Sequence, residues 1–337
     1  MKAFFHPSQD LHIPKTYFTR GQMRQPQEVP DRTGQMIEGL KALGIPVLQP
    51  ADQGAAPISK VHDLGYLRFL ESAHRRWMEM EDWGDEVMSN IFVRSPNALR
   101  GVLAEAACYL ADGSCPIGEN TWKAAYWSAQ TALGAADALI GGERYAYAVC
   151  RPPGHHARKD AAGGFCYLNN AAIAAEHMKS RFPRTVILDT DMHHGQGIQE
   201  IFYDRSDVLY ISIHGDPTNF YPVVSGFEDE RGEGEGYGYN INLPMPHGSS
   251  EEDFFARVEE ALAAVRLYQP DVLILPLGFD IYKNDPQAKV SVSSEGFCRL
   301  STHIRQLGLP TLIVQEGGYD LDALSENVQQ FFRGLEG

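Results

Sequence analysis

Thr185-Val186-Ile187-Leu188-Asp189-Thr190-Asp191-Met192-His193-His194-Gly195 opens as a short apolar run rich in β-branched residues and breaks abruptly into acids and histidines. Residues 145–150 (YAYAVC), 208–213 (VLYISI), 272–277 (VLILPL) and 311–314 (TLIV) are runs of the same kind. Continuous apolar runs of this length read as strands buried on both faces, the mark of a parallel sheet. Helix-like stretches lie before, between and after them at 121–140, 171–181, 250–268, 294–307 and 321–332. The 250–268 stretch carries Glu252 and Asp253 in its first turn, where acids favour a helix N-terminus. Each stretch is long enough for a crossover, so the pattern predicts an α/β fold with a central, mostly parallel sheet flanked by helices.

The chain has 337 residues, 43% of them apolar and 22% charged, which excludes a disordered or collagen-like protein. No linker divides it and no repeat appears, so a single domain is expected. Asp and Glu outnumber Lys and Arg by 44 to 29, giving a net charge of −15. This charge disfavours non-specific binding to a phosphate backbone, which needs a basic face, and a cationic small molecule or basic peptide suits the chain better than nucleic acid. No apolar run reaches membrane-spanning length, and the start of the chain (MKAFFHP) breaks off before a signal-peptide core, so a cytoplasmic protein is expected. Five cysteines without a C-x-x-C pair point to reduced thiols rather than disulfides or a cysteine metal site. Residues 228–238 (EDERGEGEGYG) read as a solvated loop. Residues 82–120, with Trp83, Ile91 and Phe92 among acids and prolines, read as an insertion serving function or assembly.

Ligands of open α/β sheets bind beyond the carboxyl ends of the strands. Those ends here are Arg151-Pro152-Pro153-Gly154-His155-His156, Asp189 to Gly195, His214-Gly215-Asp216, Gly278-Phe279-Asp280 and Glu316-Gly317-Gly318-Tyr319. Asp191 and His193, two apart on an extended segment, can point the same way, and Asp280 supplies a third metal ligand. Two carboxylates and one imidazole leave positions open, as in a catalytic zinc site, and Fe(II) or Mn(II) also tolerates this set. Paired histidines suit deprotonation of a water and protonation of a leaving amine, with Asp189 fixing the tautomer of one ring. Tyr319, on a Gly-Gly turn, is placed to donate to a developing oxyanion. His214, Asp216 and Glu316 taken singly read equally well as caps or turn residues.

In order along the chain, these motifs resemble the zinc-dependent histone deacetylase family, whose fold is shared with arginase. Pro30-Asp31-Arg32 is similar to the family's early loop, and the residues around His62, Asp63, Tyr66, Phe69 and Leu70 to its early helix. Gly163-Gly164-Phe165-Cys166-Tyr167-Leu168-Asn169-Asn170 then follows in family order. The resemblance implies a zinc ion on Asp191, His193 and Asp280, an acid/base pair in His155 and His156, and carbonyl polarisation by Tyr319. It also implies an acyl-chain tunnel walled by Phe165 and Tyr221, with the Gly164 carbonyl facing the scissile N–H. A structural K⁺ or Na⁺ would sit by Asp189, Asp191, His193, Ser212 and Ile213.

Within the family the nearest likeness is to bacterial acetylpolyamine amidohydrolases, through the His214-Gly215-Asp216-Pro217 and Asn284-Asp285-Pro286 segments. That likeness implies a homodimer in which residues 82–120 reach the partner's active-site mouth and help to narrow it. It makes Glu105, Asp112 and Glu119 the candidates for holding substrate ammonium groups. Gln196 departs from the pattern, standing where the family usually has Asp or Asn beside the second histidine. The expected activity is deacetylation of acetylated polyamines or related primary amines. Protein-lysine deacetylation is the alternative, and a metal-bound acetyl-amide binding protein without catalysis represents a different class. Arginase chemistry, with two metals and a richer ligand set, fits less well.

Overall fold

The computed structural model describes residues 1–93 and 98–337. Its strands are β1 (Lys2–Phe4), β2 (Tyr17–Thr19), β3 (Gln22–Arg24), β4 (Val47–Leu48), β5 (Tyr145–Ala148), β6 (Thr185–Asp189), β7 (Val208–Gly215), β8 (Asn240–Met245), β9 (Ser249–Ser250), β10 (Val272–Leu277), β11 (Val290–Ser291) and β12 (Thr311–Gln315). Its helices are α1 (Asp31–Ala42), α2 (Leu64–Trp77), α3 (Val102–Tyr109), α4 (Thr121–Ile140), α5 (Asn170–Met178), α6 (Gln196–Phe202), α7 (Glu251–Tyr268), α8 (Ser294–Gln306) and α9 (Leu321–Glu336).

Eight strands form one parallel sheet in the order β4-β1-β5-β12-β10-β6-β7-β8. The five strands expected from the sequence are its contiguous middle, β5 to β7. The edge additions β1, β4 and β8 are too short or too polar to show as apolar runs. The start of the chain is therefore a structural strand, with Ala3 pairing with Val47 on one side and Tyr147 on the other.

Alternation along the central strands feeds two cores. Ile187, Ile274, Leu312 and Val314 join the helices α2, α4 and α5 on one face. Val186, Leu188, Leu273, Leu275 and Ile313 join α1, α7, α8 and α9 on the other. A strand that must satisfy both faces has no polar positions, which is why these runs are legible in the sequence.

Helix starts follow their side chains. Ser250 is the cap of α7 rather than its first residue, closing a reciprocal capping box with Asp253. Asp63 caps α2, and Asp320 caps α9 directly after Tyr319. Helix α9 runs on to Glu336, beyond the expected 332, because Leu335 continues the buried face of Phe331 and Phe332.

Within 82–120, residues 94–97 lie outside the described residues. Val102, Ala106, Leu110, Cys115 and Ile117 are buried against the chain's own core, whereas Trp83, Ile91 and Phe92 are exposed. The expected solvated loop at 228–238 is exposed for most of its length, with one correction at Glu230. Its carboxylate accepts from Gly226 N (2.8 Å), Gln199 Nε2 (2.9 Å) and Asn242 Nδ2 (3.1 Å), tying the loop to the sheet. All five cysteines are free, and among the described residues no helix is long and apolar enough to cross a membrane.

Candidate active site

The order β5-β12-β10-β6-β7 sets the five informative strand ends side by side. Ligand atoms of Asp191, His193 and Asp280 lie within 4.8 Å of one another, all buried. His193 Nδ1 is 3.3 Å from Asp191 Oδ1 and 3.2 Å from Asp280 Oδ2. The backbone closes in around the trio: a Cβ on Gly278 would lie 2.4 Å from Asp191 Oδ2, and one on Gly317 would lie 2.5 Å from Asp280 Oδ2.

Burial, with Asp191 beside it, pushes the Asp280 carboxyl up. Burial also works against a charged His193, but the Asp191 and Asp280 carboxylates outweigh it and raise the ring to about 9. Two buried carboxylates sharing one imidazole are short of positive charge, and a divalent ion supplies it. The donor set fits a divalent metal in composition, in separation and in the fixed cradle around it.

His155 and His156 stand with ring centroids 3.9 Å apart. Asp189 Oδ2 takes the His155 Nδ1 hydrogen bond at 3.0 Å and also accepts from the Tyr210 hydroxyl. Burial opposes charge on His155, yet Asp191, Asp189 and Glu316 raise it to about 10. His156 goes the other way: burial and the neighbouring His155 and His193 push it well below the usual histidine range. Its Nδ1 lies 2.6 Å from Gln196 Oε1, so the departure from the family pattern keeps a contact at this ring nitrogen, through a neutral amide.

Glu316 is more than a turn residue. Buried and pushed up to about 8 by that burial, it accepts from the backbone N–H of Gly154 (2.7 Å) and of His155 (3.0 Å). Its carboxylate joins the tip of β12 to the loop that carries the histidine pair.

The Tyr319 loop rests on residues the sequence reading did not single out as structural. Gly317 N donates to Asp191 Oδ2 at 2.7 Å, and Gly318 has φ +121°, a backbone that glycine accepts without strain. Asp285 Oδ2 accepts from Tyr319 N at 2.6 Å. Arg32 is in the first turn of α1 rather than in a loop, and it is completely buried. Its Nε donates to Gly318 O and its Nη2 to Glu316 O, each at 2.6 Å, while its guanidinium lies 4.8 Å from the centre of the Tyr319 ring. Glu28 Oε1 then accepts from both Arg32 (2.9 Å) and Arg151 (2.8 Å), joining the Tyr319 loop to the Pro-Pro-Gly-His-His loop through one buried carboxylate. A buried arginine is costly unless paired, so Arg151 beside Pro-Pro was the one local hint of this clamp.

A cavity of about 190 Å³ opens onto Asp191, His193, His155, His156 and Tyr319. Gly164, Phe165 and Tyr221 line it as expected, and Phe165 packs edge-on against Tyr17. The three candidate substrate acids do not line it. Glu105 is paired with Arg76 at 2.6 Å, Glu119 points to solvent, and Asp112 is spent on contacts within the chain. The charged side chains at the mouth are instead Arg20 and Arg24 of the β2–β3 hairpin, and of the 82–120 segment Ser114 is the described lining residue. Among the described residues of this chain, the three candidate acids of that segment therefore do not face its own cavity.

Asp216 caps a turn, accepting from Thr218 N, and His214 is buried between Ser212 Oγ and Gly226 O. Ser212 and Asp189 are register partners at the ends of β7 and β6, with Ile213 next along β7.

The histone deacetylase domain family model matches residues 26–335. An acetylpolyamine amidohydrolase of Burkholderia pseudomallei is 65% identical over 99% of this chain and 98% of that protein. Acetylpolyamine amidohydrolase 1 of Pseudomonas aeruginosa is 40% identical over 100% of this chain and 99% of its own length. The crystal structure of acetylpolyamine aminohydrolase from Burkholderia pseudomallei superposes with a TM-score of 0.99, covering 100% of this chain and 99% of that one. With the family pattern spanning almost the whole chain, the chain belongs to the histone deacetylase family of amidohydrolases.

Proposed function

We propose that this chain is a zinc-dependent deacetylase of small acetylated primary amines, acetylated polyamines first among them. The observation that carries the reading is that Asp191 and His193, grouped with the buried Asp280, open onto one cavity with His155, His156 and Tyr319. The names of the full-length relatives supply the substrate class.

Held by Asp191, His193 and Asp280, a divalent metal supplies Lewis acidity toward a carbonyl oxygen and toward water. His155, oriented by Asp189, and His156, oriented by Gln196, hold and move the protons: one taken from the attacking water, one given to the leaving amine. Tyr319 donates its hydroxyl to the oxygen that gains charge, and Arg32 with Asp285 keeps its loop in place. Phe165 and Tyr221 wall the chain of the substrate, and the Gly164 carbonyl accepts from the amide N–H. The ends of β6 and β7, where Asp189, Asp191, His193, Ser212 and Ile213 come together, suit a structural K⁺ or Na⁺.

Arg20 and Arg24 at the mouth favour a second reading, hydrolysis of an acetyl-lysine amide that brings no second positive charge. Steady-state rates on N-acetylputrescine, N-acetylcadaverine, N-acetylspermidine and an acetyl-lysine peptide, with and without chelator, separate the two. The expected result is a chelator-sensitive kcat/KM at least about tenfold higher for one of the acetylated polyamines than for the peptide. The reverse ranking installs the second reading. Absence of turnover on all four removes both and leaves a binding protein.

Trp83, Ile91 and Phe92 are exposed, as are Phe18 and Met23 of the hairpin, and the two segments are tied by Lys15 N to Glu86 (3.1 Å) and Phe18 N to Gly113 O (2.8 Å). Several exposed apolar side chains on these segments would be covered by a partner, and a homodimer of a cytoplasmic enzyme is part of the proposal. Sedimentation at micromolar concentration is expected to give a dimer that Ile91→Asp with Phe92→Asp converts to monomer. A monomeric parent would remove the dimer.

A further inference from the structure

Asp112 stands near the cavity without lining it, and its hydrogen bonds show why. Oδ1 accepts from Ser114 N (2.8 Å) and from the Ser114 hydroxyl; Oδ2 accepts from the Tyr221 hydroxyl (2.7 Å) and from Gly164 N (3.1 Å). A carboxylate has about four acceptor sites, so all are taken and none is left for a substrate ammonium group.

The Tyr221 contact continues inward. Gln196 Nε2 donates to the Tyr221 oxygen at 3.1 Å, and Gln196 Oε1 faces His156 Nδ1 at 2.6 Å. The Tyr221 ring also meets His156 edge-on, with centroids 4.7 Å apart. Each link has one permitted direction. A carboxylate only accepts, so Tyr221 must donate to Asp112; its oxygen is then free to accept from the Gln196 amide N–H. That turns the Gln196 carbonyl toward His156, and a carbonyl only accepts, so Nδ1 must carry the proton. His156 Nε2 is left as the atom that takes or returns a proton.

We propose that Asp112, Tyr221 and Gln196 form a polarised strut that fixes the ring orientation and the Nδ1–H tautomer of His156, with Asp112 and Gln196 as positioning residues. The catalytic consequence rests on the reading of His156 as a proton carrier in amide hydrolysis. The tautomer itself does not. Asn at 112 can donate to the Tyr221 oxygen, reverse the strut and present the Gln196 amino group to Nδ1, and Phe at 221 cuts the strut while keeping the ring.

The test compares the metal-replete parent with Tyr221→Phe, Asp112→Asn and the double variant. Its substrates are N-acetylcadaverine and the neutral, length-matched N-pentylacetamide. Each single variant is expected to lose about tenfold in kcat on both substrates, the size usual for partners that orient a site group, with KM changed less than about twofold. The double variant should lose little more than either single one, because both break one strut. Nitrogen-15 NMR of the His156 ring should show the Nδ1–H form in the parent and a mixture of tautomers, or the Nε2–H form, in the variants.

Metal content and melting temperature, measured on every variant, keep misfolding separate. A KM rise confined to N-acetylcadaverine in Asp112→Asn would overturn the proposal and restore Asp112 as an ammonium contact. An unchanged kcat and tautomer in Tyr221→Phe would overturn it as well. A parent inactive on both substrates, with the tautomer shifting in the variants, would leave the strut standing and sink the deacetylase reading.

Discussion

Asp280→Ala is expected to strip the divalent metal from the protein and to lower kcat/KM by at least about 10³-fold, since both carbonyl polarisation and water activation depend on that ion. Asp280 is one of the three residues that would hold the ion, in a group with no spare donor: the Asp191 Oδ2 already accepts from Gly317 N, and His193 has one ring nitrogen to offer toward the trio. Asp280 Oδ1 also accepts from Met192 N at 3.0 Å, so alanine leaves a buried N–H unpaired, at a cost of about 1–3 kcal/mol. Asp280→Asn keeps an acceptor for that N–H and separates the two effects. It should fold like the parent and still bind metal poorly. Metal stoichiometry after dialysis, read beside melting temperature and turnover, checks both variants. Stoichiometric metal in Asp280→Ala would refute the ligand assignment.

The second large effect belongs to Tyr319→Phe, with kcat expected to fall by about 10²–10³ and KM to hold nearly constant, the pattern of a donor used only in the transition state. The substitution is clean because the loop does not depend on the hydroxyl. Arg32 holds the carbonyls of Gly318 and Glu316, and Asp285 holds Tyr319 N. Burial pushes the phenol well above the usual tyrosine range, so it remains protonated as a donor. Metal content should match the parent. An unchanged kcat would mean that the hydroxyl does not face the reacting carbonyl.

The chemistry at the strand ends was legible because it is local. Asp191 and His193 stand two residues apart, His155 and His156 are adjacent, and each follows a run such as 185–188 whose alternating residues feed cores on both faces. Asp280 and Tyr319 follow equally apolar strands, and a parallel sheet brings successive carboxyl ends to one edge whatever the order of its strands. Period and punctuation therefore carried the central five strands, the α/β class and the residues gathered in the cavity.

The edge strands did not show, because Lys2–Phe4 and Val47–Leu48 are too short to establish a period and gain their order from Tyr147 and its neighbours. The supports of the site are contacts between distant segments. Glu28 meets Arg151 across 123 residues, Arg32 meets Gly318 across 286, and Tyr221 meets Asp112 across 109. No local pattern predicts which buried charge finds which partner. Asp112 read as a free acid for substrate until the fold filled its acceptor sites. A net charge of −15 gave no sign that the hairpin sets Arg20 and Arg24 on the lining of this chain's own cavity. Residue type and spacing determined what chemistry this chain carries, while long-range packing alone decided which charges remain available to a substrate, because availability depends on what the rest of the chain has already bound.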